Sequence, residues 1–161
     1  MGCPTAAQTG RLFYEVEVLA LPTEHDVTTQ FGWAAGGFAV DTAAASNDGV
    51  GDDAVSWGLD GVRLKAWHKG NKDYGRRWKA GDILGLAVDT GSGAVLFGLN
   101  GSWQAPMGLA YTGQAFPAAG LYPALSALSS TTELTVRVNL GYWPWRYGPP
   151  DASFRAVAEG A

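Results

Sequence analysis

An all-β sandwich or barrel is the fold class this sequence predicts, and three observations predict it. Leu12, Tyr14, Val16 and Val18 alternate with Phe13, Glu15, Glu17 and Leu19, the period of two expected of a strand. Turn formers recur between short apolar runs, most densely from Gly49 to Gly101, at Asp60-Gly61, Asp89-Thr90-Gly91-Ser92-Gly93 and Asn100-Gly101. Before residue 150 no stretch holds a 3.6-residue period.

Taken in order, residues 1–10 read as an N-terminal tail and the alternating run as the first strand, ended at Pro22. Residues 22–29 read as a polar loop, and Gln30-Phe31-Gly32-Trp33-Ala34 as the second strand. Asp41 to Gly51, with Ser46-Asn47-Asp48-Gly49, reads as a long loop. Ala54–Leu59 and Arg63–His68 flank a hairpin turn at Asp60-Gly61. Ile83–Val88 and Ala94–Leu99 form the clearest hairpin. Leu121–Ala127 and Glu133–Leu140 are two more strands. Asp151–Glu159 is the one stretch suited to a short helix, capped by Asp151 or Ser153. The domain is placed at 11–147, with 148–161 a C-terminal tail or short helix.

The 161 residues fit one domain, long enough to bury roughly 70% of the surface its unfolded chain exposes. Seven Trp, six Tyr and six Phe suit strands and binding surfaces. A net charge of −4 with 16% charged residues disfavours a nucleic-acid binder, which carries a basic face. Cys3 is the only cysteine, so the chain builds no internal disulfide framework or Cys-rich zinc site, which fits a reducing compartment. No apolar run reaches the ~18 residues of a membrane span, and no signal-peptide core precedes the first strand. Met1-Gly2-Cys3 invites an acylated N-terminus, but Ala6 stands where that pattern requires Ser or Thr. The expected localisation is intracellular, cytoplasmic or nuclear.

One ordered set of motifs spans nearly the whole chain. It begins with Phe13-Tyr14-Glu15-Val16-Glu17-Val18, Phe31-Gly32-Trp33-Ala34, Gly51-Asp52-Asp53 and Ser56-Trp57-Gly58. It continues with Trp67-His68-Lys69-Gly70-Asn71, Tyr74-Gly75-Arg76, Trp78 and Gly81-Asp82-Ile83-Leu84-Gly85. Asp89, Phe97, Leu99-Asn100-Gly101, Leu121-Tyr122-Pro123-Ala124 and Val138-Asn139-Leu140-Gly141 complete it. This set resembles the SPRY domain, the core of B30.2 modules. The Trp-His-x-Gly-Asn and Tyr-Gly-Arg elements are most similar to the SPRY domains of ryanodine receptors. The resemblance implies a concanavalin-like β-sandwich of two antiparallel sheets. It also implies a non-catalytic, cofactor-free activity, recognition of a protein or peptide segment through inter-strand loops. Such domains act inside larger multidomain proteins, as ubiquitin-ligase adaptors, channel modules or chromatin-complex subunits. This chain is then an excised or standalone copy.

Within that frame Tyr14, Trp57, Trp67 and Phe97 are expected in the core, and Gly32, Gly58 and Gly85 at bends or close sheet contacts. The candidate binding surface is the loop from Lys69 to Trp78, because Tyr, Trp and Arg dominate binding hot spots. Its candidates are Lys72, Tyr74, Arg76, Arg77 and Trp78, joined by Trp103 beyond the Asn100-Gly101 turn. In some SPRY proteins a tyrosine of this loop contacts a bound peptide, and Tyr74 is the matching position. The Asp41–Asp48 loop and Ser129–Thr132 could line the same surface.

Two other readings compete. Leu86-Ala87-Val88-Asp89-Thr90-Gly91-Ser92 matches an aspartic-protease signature, but that chemistry needs two aspartates sharing a proton, and a hairpin turn explains the motif alone. A lectin-like sandwich is the other, by analogy of fold, with Asn47, Asp48, Asp52 and Asp53 as a possible metal loop whose spacing fits no EF-hand. Hydrolase triads lack a Gly-x-Ser-x-Gly elbow and have only His25 and His68 to draw on. Asn100-Gly101-Ser102 has the form of a glycosylation sequon and reads as a turn. No catalytic, metal or cofactor residues are assigned.

Overall fold

The computed structural model describes residues 10–21, 28–39, 48–128 and 133–160. The Asp41–Asn47 part of the long loop, Ser129–Thr132, Cys3 and His25 therefore lie outside the described residues.

Among the described residues eleven strands follow one another: β1 (Arg11–Ala20), β2 (Thr28–Ala35), β3 (Ser56–Asp60), β4 (Lys65–Trp67), β5 (Asn71–Asp73), β6 (Ile83–Asp89), β7 (Ala94–Leu99), β8 (Gly108–Tyr111), β9 (Leu121–Leu128), β10 (Thr135–Asn139) and β11 (Arg155–Ala156). One sheet runs β10-β1-β6-β7-β8, with β11 added parallel to β1 at Leu12 and Phe13. The other runs β5-β4-β3-β2-β9. Apart from β11 every pairing is antiparallel, so the two-sheet sandwich expected from the sequence is the fold.

The alternation of β1 sets the layers. Leu12, Tyr14, Val16 and Val18 point between the sheets, together with Leu84, Leu86, Val88, Val95 and Phe97 of the same sheet. Phe31, Trp33, Trp57, Leu59 and Ala66 close the core from the other sheet. Tyr14 joins the two: its ring meets Trp33 edge-on at 5.0 Å, and its hydroxyl donates to the Gly32 carbonyl at 2.5 Å. Gly32 and Gly58 face each other across β2 and β3. A Cβ on Gly58 would sit 1.9 Å from the Val50 carbonyl oxygen, and one on Gly32 would sit 1.8 Å from that of Trp57. These positions admit only glycine because another stretch of backbone passes over them.

The outer face of the first sheet is covered as well. Gly85 and Gly98 pair across β6 and β7, and the indole of Trp103 lies flat over both. Phe13 meets Trp103 and Trp145 edge-on. The segment from Gly141 onward therefore runs back across β1. Where the sequence suggests a tail or short helix, it forms β11 and then a short 3-10 helix at Val157–Gly160.

Besides β11, two short strands were not visible in the sequence pattern, β5 and β8. They sit at the same side of the sandwich, one at the edge of each sheet. The Lys69–Trp78 segment is therefore not wholly loop, since Asn71–Asp73 extends the second sheet.

Candidate functional site

The β5/β8 side of the sandwich is held by side chains that cross from one sheet to the other. Lys72 lies opposite the buried Ala66, so it points inward from β5. Its ammonium donates to the Ala110 carbonyl on β8 and lies 4.2 Å from the Tyr111 ring. Tyr74 does the same one step on. Its hydroxyl donates to the Gly108 carbonyl at 2.6 Å, and its ring meets Phe97 edge-on at 6.0 Å. Burial pushes the Tyr74 phenol above the usual tyrosine value and the Tyr111 phenol up to about 12. The Gly75 amide donates to the Pro106 carbonyl, which fixes the loop before β8 against the loop after β5.

Outside this clasp lies an open groove of about 500 Å³ lined by Arg63, Leu64, Lys65, Asp73, Tyr74, Gly75 and Pro106. Its walls are ordered by local chemistry. The buried Asp60 carboxylate accepts the amides of Val62 and Arg63 and the Arg63 guanidinium, and that guanidinium stacks 4.3 Å over Trp67. Lys65 and Asp73 pair directly across β4 and β5 at 2.5 Å, and the Lys65 ammonium holds the Asp73 carboxyl below its usual value. Arg76 and Arg77 follow Gly75, both exposed, and no side-chain partner for either exists among the described residues.

The sequence-derived candidates thus separate. Lys72 and Tyr74 come together at the β5/β8 side, with Tyr74 serving the clasp through its hydroxyl and the groove through its ring, and the exposed Arg76 and Arg77 follow directly in the chain. Trp78, expected at a binding surface, is instead buried. Its ring packs on Phe31 at 5.7 Å and fills the space over Gly61 that a side chain would need. Trp103 is half-buried and turned away: Tyr74 packs on Phe97 and Trp103 on Gly98, consecutive residues that face opposite sides of β7.

The residues of the competing readings are engaged in turns. Asp89 accepts the amides of Gly91 and Ser92 and pairs with Arg11 at 2.9 Å. Burial acts to raise its carboxyl, but these donors, Ser92 foremost, outweigh it and hold the group below its usual value. Asp52 accepts the Gly49 amide, and Asp53 accepts the Val55 amide and the Ser56 hydroxyl. His68 stacks on Trp57 at 4.6 Å and donates from Nδ1 to the Ser56 carbonyl.

Sequence reasoning missed the groove residues Arg63, Leu64, Lys65 and Pro106. It also missed an exposed aromatic group on the last segment, Tyr142, Trp143 and Tyr147. The density of aromatics from 142 to 147 was the available signal for the second, and the crowding of cations after residue 62 for the first.

A family model described as the SPRY domain matches residues 11–141. The chain belongs to the SPRY family. SPRY domains are generally non-catalytic protein-interaction modules. The chain is also similar to E3 ubiquitin-protein ligase RKP of Arabidopsis thaliana, 31% identical over 152 residues. That match takes in 93% of this chain and 10% of the relative, so the SPRY chain spans about a tenth of that ligase. Among the described residues no helix is long and apolar enough to cross a membrane.

Proposed function

We propose that this SPRY domain recognises a protein segment at the β5/β8 side, with the groove beside Tyr74 as the seat and Arg76 and Arg77 as the principal contacts. The observation that carries the reading is a pair of exposed arginines, without side-chain partners among the described residues, that directly follow Tyr74 and Gly75 of a groove whose walls are braced from both sheets. Rigid walls lower the ordering cost of binding, and arginines without internal partners are open to a ligand's acceptors. The likeness to part of an E3 ubiquitin-protein ligase supports a place as the recognition part of ubiquitin-ligase machinery inside the cell, in cytoplasm or nucleus. A displayed peptide library panned on the immobilised domain tests the site. Enrichment by the native domain, lost with Arg76→Ala/Arg77→Ala at unchanged Tm, is the expected result. Enrichment that survives the double substitution puts the site elsewhere.

A further inference from the structure

The charges of this chain are segregated. Seven of its eleven lysines and arginines fall between residues 63 and 79, against one of its fifteen acids, Asp73. The segment therefore carries a net charge of +6 within a chain of net −4. Arg63 and Lys65 are matched to Asp60 and Asp73. The other five, Lys69, Lys72, Arg76, Arg77 and Lys79, have no carboxylate partner among the described residues. Elsewhere Arg11 pairs with Asp89 and Arg137 with Glu17. The unmatched cations are thus concentrated in the segment that runs through Asp73, Tyr74 and Gly75 of the groove.

From this we infer that the ligand at this surface is an acidic protein segment, rich in Asp and Glu; the inference rests on the site proposed above. The fold places the cations close together. Lys69 closes the β4–β5 hairpin, and three residues of strand, roughly 10 Å, separate it from the Tyr74–Trp78 run that carries Arg76 and Arg77. An extended segment crossing the hairpin passes both ends of the basic patch. Its carboxylates meet guanidinium forks that match them in geometry. The opposite field around the patch favours a short segment over a long polyanion. Outside 63–79 the chain holds fourteen acids and four cations, which repel a nucleic-acid backbone running past the patch. Opposite charge also speeds encounter and makes it salt-dependent.

The peptides enriched by the native domain supply the test. Each is resynthesised with every Asp and Glu changed to Asn and Gln, and affinities are measured by fluorescence polarisation at low and high salt, beside a DNA oligonucleotide. The expected result is enrichment of sequences with surplus Asp and Glu, with affinity falling about tenfold or more in the amide versions, on adding salt, and with Arg76→Glu/Arg77→Glu at unchanged Tm. Enriched sequences that are neutral or basic, yet lost with Arg76→Ala/Arg77→Ala, overturn the acidic ligand and leave the site standing. Binding indifferent to both substitutions overturns the site as well. An oligonucleotide that outbinds the acidic peptides assigns the patch to nucleic acid instead.

Discussion

The Glu15 carboxylate accepts the backbone N–H of Tyr147 at 2.9 Å, a bond between the first strand and the last segment of the chain. The amides of Arg146 and Gly148 donate to the same carboxylate. Glu15 is buried on the outer face of β1, and these three donors take the place of water. Removing the acceptor leaves them unsatisfied. Glu15→Ala is expected to lower stability by roughly 3 kcal/mol in chemical denaturation. It should also expose Trp145, read as a shift in tryptophan emission. Unchanged stability would mean that the last segment holds to β1 without the clamp.

Two glycines, Gly58 in β3 and Gly36 just after β2, separate fold from composition. Gly58→Ala puts a methyl group against the Val50 carbonyl and is expected to cost roughly 4 kcal/mol or more, among the severe single substitutions. Gly36 has open space where its Cβ would go, and Gly36→Ala should be neutral within about 0.5 kcal/mol. Thermal unfolding of the two proteins side by side checks the close pass of the Val50 backbone over β3.

Asp89 links stability to acid. Its folded-state carboxyl titrates below the ordinary 3.8, so its contribution is fully present above that value and is lost as pH falls through the folded one. Asp89→Asn keeps an oxygen for the Gly91 amide and removes the charge facing Arg11. The variant should be less stable than the native domain by about 1 kcal/mol near neutrality, with the gap closing as the pH falls below the native carboxyl's value. A gap independent of pH would contradict the ion pair.

Tyr74 works at the other end of the scale. Its phenol is raised above 10.0 by burial, so its contribution is complete below that pH and lost as pH rises through the folded value. Tyr74→Phe deletes the donor to Gly108 and should cost about 1 kcal/mol at neutral pH, with the deficit shrinking in alkali. Peptide binding should be unaffected, because the hydroxyl points into the clasp. A binding loss without a stability loss would place that hydroxyl at the ligand.

Much of this was readable in the chain. β1 and the β6–β7 hairpin announce themselves because one face of each is apolar and the turn between the latter is Asp-Thr-Gly-Ser-Gly. β5 does not, because Asn71-Lys72-Asp73 has no apolar member and holds its place through backbone pairing with β4 and the polar contacts of Lys72 and Asp73. The Lys69–Trp78 segment was legible as a candidate site from residue types. The direction of each side chain was not. Trp78 turns into the core because Gly61 leaves room for it, and Tyr74 is turned by a carbonyl 34 positions away. Residue type marks what a side chain can do, while orientation depends on partners distant in sequence.

The most direct test of the binding surface is a backbone-amide NMR titration of the native domain with its best enriched peptide. The account predicts perturbed amides concentrated in residues 63–79 and around Pro106 to Tyr111. Perturbations centred instead on Tyr142 to Tyr147 or on β9, with 63–79 silent, would contradict it.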